Sequence, residues 1–343
     1  MLTRKGTMSQ GMLSEVQSSK QFLLKSFVGA GLTIVLSSFG CIRCAAADSQ
    51  QHHSLENYLK RQGYEPIPLK RDHSNHLLVS GQIDGKNRDF LVDTGCSFTT
   101  VDSDIARKMK TLGSLGVRLQ DSFLGTLTNA KTCLITIKLG SAIFTNQPAH
   151  SKPLNSGGYS DADCLLGCDF FFRNFCLIDC TGQKLYVRGA KPPKQAEEAL
   201  EGSLRGSGFH ELQLQETSSL VMTVSGSVNG FPVKLLLDTG WVWTTIDSKQ
   251  MNRLGIEKQF TRQQIAGIGK IGSAWLDRTR LKSFEIGDVP VKNVDVCVAD
   301  LSGWNIGNPA HSLRDVDGFL GPDLLAYNRA LIDCHKLKLW LQP

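Results

Sequence analysis

Short apolar runs separated by turn signals dominate the chain, and from residue 77 onward they fall into two matching series. In the first, Leu77-Leu78-Val79 leads through Asp84-Gly85 to Phe90-Leu91-Val92. In the second, Leu220-Val221-Met222 leads through Asn229-Gly230 to Leu235-Leu236-Leu237. Asp-Gly and Asn-Gly between two apolar runs signal hairpins. Each hairpin delivers the chain to Asp-Thr-Gly, at Asp93-Thr94-Gly95 and at Asp238-Thr239-Gly240. Each triplet continues into an apolar, threonine-rich stretch, Phe98-Thr99-Thr100-Val101-Asp102 or Trp243-Thr244-Thr245-Ile246-Asp247.

The two series also end alike. Leu165-Leu166-Gly167-Cys168-Asp169 parallels Phe319-Leu320-Gly321-Pro322-Asp323. A short helix is expected after each glycine, with Asp169 and Asp323 placed to cap it. Asp102 and Asp247 read as turn or cap residues as well. Leu177-Ile178-Asp179-Cys180 parallels Leu331-Ile332-Asp333-Cys334, ahead of closing strands over 184–187 and 337–341. From Asp93 to Gly167 is 74 positions and from Asp238 to Gly321 is 83, so the second copy carries a modest insertion. The pattern predicts an all-β architecture of two tandem domains, over 75–189 and 213–343. Residues 190–212, with Pro192-Pro193 and several charges, read as a linker holding one helical turn at Gln195–Leu200. Residues 48–74 are polar and read as a loose leader segment or an edge strand.

The first 47 residues change the picture of location. Lys20 and Lys25 flank the start of an apolar run from Phe27 to Phe39, and Ala45-Ala46-Ala47 follows. This is the layout of a cleaved export signal, which would make the protein periplasmic or secreted. An uncleaved N-terminal membrane anchor is the alternative. The formal net charge is +6, but the first 47 residues hold five Lys/Arg and one acid. The remainder is near +2, which gives no argument for binding nucleic acid. Of the ten cysteines, eight lie beyond residue 47. Cys164, Cys168, Cys176 and Cys180 lie close in sequence but lack a C-x-x-C pair, so core or disulfide positions are expected of them, and no metal. His52, His53, His73 and His76 read as solvated surface residues.

The repeated triplet carries the chemistry. An apolar strand fixes the carboxylate at its exit, threonine offers a hydroxyl to a neighbouring loop, and glycine allows close backbone approach. If two such loops meet, their carboxylates cannot both ionise and share one proton. One then serves as general base toward a water while the other donates to a carbonyl oxygen, with no cofactor. The pair titrates as a unit.

On these residues the chain resembles the retropepsin-like aspartic peptidases, including their bacterial relatives. The matching segments are Phe90-Leu91-Val92-Asp93-Thr94-Gly95-Cys96-Ser97 and Leu235-Leu236-Leu237-Asp238-Thr239-Gly240. The apolar-apolar-Gly signatures are Leu165-Leu166-Gly167 and Phe319-Leu320-Gly321. The resemblance covers nearly all of the chain after residue 75. It implies two acid-protease β-barrel domains of the retropepsin and pepsin kind, related by a pseudo-two-fold axis. It also implies an endopeptidase with Asp93 and Asp238 as the catalytic dyad, Thr94, Gly95, Thr239 and Gly240 supporting it, and peptide or protein as substrate. Glycine-rich flaps over the substrate are expected at Gly267 and Gly269 in the second copy and at Gly125 in the first. Trp241 and Val242 depart from the family, which prefers small residues there. Trp241 fills a pocket, leans against the partner loop or crowds the dyad, and the last case would leave a non-catalytic peptide-binding protein. Pairing of the triplets between chains, in a homodimer, is the other arrangement open.

Overall fold

The computed structural model describes residues 54–343, except 73–74, 110–118, 122–124, 128–131, 155–161, 258–261, 267–272, 293, 305 and 308–310. Both series lie in one compact unit that spans 52–343. The expected signal lies outside the described residues, as do His52, His53 and His73, whereas His76, expected at the surface, is buried with its Nδ1 2.9 Å from Asp72 Oδ2. No described helix is long and apolar enough to cross a membrane.

The first half closes into a six-stranded barrel. Its hairpin pairs Leu77–Ile83 with Lys86–Val92, and both Asp84 and Gly85 have positive φ, the backbone of the two-residue hairpin turn. The order continues through Cys164–Leu166, Thr100–Asp102, Ala142–Lys152 and Thr132–Leu139, which pairs back onto Leu77–Ile83. The second half repeats this route from Met222–Val228 and Phe231–Leu237, with Asn229 and Gly230 at positive φ. It runs on through Gly318–Leu320, Thr245–Asp247, Asp295–Ala299 and Ser273–Arg280 to Arg262–Ala266 and curls without closing. In each half the strand that ends at the aspartate pairs in parallel with the strand that ends at the apolar-apolar-Gly signature. This crossed arrangement brings the two motifs of each repeat side by side.

A six-stranded antiparallel layer joins the halves. Its order is His210–Gln213, Lys338–Leu341, Leu331–Asp333, Leu177–Asp179, Lys184–Val187 and Glu65–Arg71, three strands from each repeat. Ile178 faces Ile332 at its centre, so the pseudo-two-fold axis passes there. One face of the layer looks into the main core through Ile178, Ile332, Cys180 and Cys334. The other face packs Leu177, Tyr186, Leu331 and Trp340 beneath Leu59, Leu200 and Leu204 of two helices.

Those helices correct two expectations. Residues 48–74 were expected to be a loose leader or edge strand, yet 54–61 is helical and Glu65–Arg71 is an interior strand, paired on both sides. The expected linker holds a 13-residue helix, Lys194–Gly206, followed by the edge strand His210–Gln213. The two helix–strand units are copies of each other. Leu55, Glu56, Leu59, Gly63, Ile67 and Leu69 correspond to Leu200, Glu201, Leu204, Gly208, Leu212 and Leu214, the same 145-position offset that separates Asp93 from Asp238. Tyr64 N donates to Leu59 O at 3.0 Å and Phe209 N to Leu204 O at 3.0 Å. The ion pairs repeat too. Glu56 meets Lys60 and Lys184, while Glu201 meets Arg205 and Lys338. The repeat therefore begins at the helices, about twenty residues before the apolar series that revealed it. Polar helix surfaces hid this part of the pattern, because only one stripe of each helix is buried.

Candidate active site

Each aspartate leaves an apolar strand whose last residues are fully buried, Phe90-Leu91-Val92 or Leu235-Leu236-Leu237. The two triplets then meet within one chain. Thr94 N donates to Thr239 Oγ1 at 3.1 Å and Thr239 N to Thr94 Oγ1 at 3.0 Å. Each hydroxyl in turn donates to the strand entering the opposite triplet, Thr94 Oγ1 to Leu237 O at 2.8 Å and Thr239 Oγ1 to Val92 O at 2.7 Å. Both threonines are fully buried. Four bonds in a closed, dry network fix the relative position of the two loops.

The glycines explain the approach. A Cβ on Gly95 would lie 2.4 Å from Cγ of Asp238, and one on Gly240 would lie 2.4 Å from Cγ of Asp93. Each glycine backbone thus rests against the carboxylate of the other repeat, a contact no other residue allows. Asp93 Oδ1 accepts from Gly95 N at 2.9 Å and Cys96 N at 3.1 Å. Asp238 Oδ1 accepts from Gly240 N at 2.9 Å. Asp238 is fully buried, and no N–H or O–H donor among the described residues reaches its Oδ2. Burial pushes its pKa well above the usual carboxylate range, against the N–H groups of Gly240 and Trp241 and the hydrogen bond with Asp93. A buried carboxylate beside a second carboxyl is stabilised when the two share a proton.

A second tier holds the loops from behind, beyond the capping expected of Asp169 and Asp323. Asp169 and Asp323 were expected to cap the helices Cys168–Arg173 and Pro322–Tyr327. The N-caps are Gly167 and Gly321, with no side-chain cap bond. Asp169 Oδ1 accepts from Phe170 N in the first turn of its helix at 2.8 Å, and it also accepts from Thr99 N at 2.7 Å and Thr99 Oγ1 at 2.8 Å, while Asp323 Oδ1 accepts from Thr244 N and Oγ1, both at 2.8 Å. Gly167 and Gly321 lie so close to the segments after the triplets that a Cβ would come within 2.5 Å of Phe98 C and 2.7 Å of Trp243 C. The apolar-apolar-Gly signature is therefore a seat for the loop that carries the aspartate. Thr99 and Thr244 were available as a signal, since they recur at the same offset as the triplets. Asp102 and Asp247 do cap, each accepting from a backbone N–H two residues on.

Trp241 turns away from the carboxylates into the core of its own repeat. It is fully buried, edge-on to Trp304 at 5.3 Å between ring centroids and tilted against Phe319 at 5.0 Å. Trp304 lies in the longer segment of the second repeat, so the insertion and the large side chain fit each other. Val242 packs with Leu78, Leu91, Cys96 and Leu165 of the first repeat. Of the expected flap glycines, Gly267 and Gly269 lie outside the described residues, and Gly125 opens the strand Gly125–Leu127 of a two-stranded hairpin. The eight described cysteines are buried thiols, and no described group of three or more His, Cys, Asp or Glu could hold a metal ion.

No curated protein matches the sequence. Among solved structures, an aspartic proteinase from Irpex lacteus is similar, at 16% identity and a TM-score of 0.45, over 81% of this chain and 97% of that one. The family model described as aspartyl protease matches residues 79–170 and again 224–324, each stretch running from the hairpin through Asp-Thr-Gly to the helix after the second signature. Those two stretches make up more than half of the chain, which belongs to the aspartyl protease family.

Proposed function

We propose that this aspartyl protease is an endopeptidase with one active site per chain, built from Asp93 and Asp238. The observation that carries the reading is reciprocal: each triplet's glycine lies against the carboxylate of the other triplet. Two carboxylates held that way share one proton. The ionised member takes a proton from a water, and the protonated member donates to the scissile carbonyl oxygen as the water adds. The tetrahedral species then collapses with proton transfer to the leaving amine. The within-chain threonine bonds support one dyad per chain over pairing between chains. The core-directed indole of Trp241 removes the reason to expect a crowded, non-catalytic cleft. The substrate is an extended peptide segment. Export by the N-terminal signal is part of the same proposal.

The test is cleavage of an unstructured protein by the purified chain, with and without pepstatin. Asp93→Asn and Asp238→Asn should each lower turnover by roughly a thousandfold or more, because the dyad acts as one unit. Wild-type turnover in either variant would sink the shared dyad.

A further inference from the structure

The carboxylate of Asp238 accepts from the backbone N–H groups of Gly240 and Trp241. The orientation of the Trp241 peptide is therefore part of what holds the aspartate. The Trp241 side chain reaches forward along its own loop. Its Nε1–H donates to Thr245 Oγ1 at 2.8 Å, and the Thr245 hydroxyl donates in turn to Trp243 O at 2.8 Å. Trp241 and Thr245 are both fully buried, so neither bond competes with bulk solvent. Trp304 and Phe319 hold the ring in place from outside the loop.

The first repeat fastens the equivalent loop differently. Cys96 Sγ donates to Phe98 O at 3.2 Å, and Thr100 Oγ1 donates to the same carbonyl at 3.1 Å. Phe98 and Trp243 are corresponding residues. The residue after each Asp-Thr-Gly thus ties its loop to the carbonyl two positions on, directly from Cys96 and through a hydroxyl from Trp241. Trp241, for which filling a pocket and crowding the aspartates were both open, occupies a point where the loop is fastened.

We propose that Trp241 is a positioning residue for Asp238, acting through the clasp from Trp241 Nε1–H to Thr245 Oγ1–H to Trp243 O. The proposal rests on the dyad reading above. Small displacements of a catalytic group are costly in turnover, and the clasp restrains the backbone that carries the Trp241 N–H. It acts on the aspartate rather than on substrate, so its signature is a fall in kcat with KM kept.

The experiment measures kcat and KM on an unstructured peptide for Trp241→Phe, which keeps a ring and removes the N–H. Thr245→Val, Thr245→Ser and the double variant Trp241→Phe/Thr245→Val are assayed beside it. Each of Trp241→Phe and Thr245→Val should lower kcat roughly tenfold with KM within about twofold. The double variant should fall no more than about twofold below the worse single, since both break one clasp. Thr245→Ser should restore kcat. Amide exchange over 238–246 should quicken by roughly tenfold in both single variants, a readout that needs no turnover. Unchanged exchange, an additive double variant, or a kcat loss that only tracks the unfolded fraction in denaturant would overturn the clasp. Asp93→Asn and Asp238→Asn in the same assay separate the two readings. If both abolish turnover while Trp241→Phe leaves kcat intact, the clasp alone fails; if either remains active, the dyad reading fails.

Discussion

The two repeats place the same carboxylate on the same loop with different volumes behind it. In the first, Cys96 sits among Leu78, Leu91, Leu154, Ala162 and Leu165. In the second, Trp241 fills the corresponding place, and the longer segment between the motifs supplies Trp304 to cover it. The polar fastenings are nearly identical despite this. Thr94 mirrors Thr239, Thr99–Asp169 mirrors Thr244–Asp323, and Gly95 mirrors Gly240, with bond lengths that agree closely. Packing tolerates a change of residue if the volume is refilled. A closed hydrogen-bond network in a buried site does not, since each missing partner leaves a donor or acceptor stranded.

That contrast can be broken at several points. The largest effect is expected from Gly95→Ala and Gly240→Ala. Each new Cβ meets the opposite carboxylate at 2.4 Å, and turnover should fall by at least about a hundredfold in both. Retained activity in one alone would show that the repeats are unequal at the dyad itself. Next, Trp241→Ala should destabilise the fold by about 3–5 kcal/mol in denaturant unfolding, whereas Cys96→Ala should cost about 1 kcal/mol, because far less volume is removed. Comparable losses would mean that Trp304 collapses onto the gap.

Asp169→Ala and Asp323→Ala test the symmetric part. Each strands a buried threonine N–H and hydroxyl, and a loss of about 2–3 kcal/mol is expected in both. A difference of more than about 1 kcal/mol between them would sharpen the comparison toward one repeat. The pH dependence is subtler. Burial raises the folded-state pKa of Asp238 to about 7 from an ordinary 3.8. The folded chain then holds a proton that the unfolded chain releases. The associated stability is complete below the ordinary carboxylate range and is lost as pH rises through neutrality. Asp238→Asn should flatten the decline of the unfolding midpoint between about pH 4 and 7. Smallest of all, Glu56→Gln and Glu201→Gln should each cost about 1 kcal/mol, because these pairs are only partly buried and the amide keeps the shape of the side chain.

Reading from the chain, the core of the site was visible and its supports were not. Apolar runs, hairpin turns and the two Asp-Thr-Gly triplets are local features, and they gave the repeat, the β-rich halves and the residues that meet. The helix–strand units at 54–71 and 194–213 escaped because charged helix surfaces resemble linker sequence, although Glu56 and Glu201 repeat at the triplet spacing. Asp169 and Asp323 were read only as helix caps because capping is a local rule, while their further partners, Thr99 and Thr244, lie 70 and 79 positions away. Whether Trp241 fills a pocket or obstructs the site stayed open for the same reason. Its cover, Trp304, is distant in sequence.

By itself, the sequence determined that two copies of one β-unit exist, where each strand must turn, and which carboxylates leave buried strands. These follow from periodicity and backbone preference within a few residues. The tertiary structure alone decided that each glycine lies against the other repeat's carboxylate and that each threonine hydroxyl closes the opposite loop. It also decided that the tryptophan three positions after Asp238 packs into the core. Those outcomes depend on which surfaces meet and how the space between them is filled, and no local rule carries that information across 145 residues.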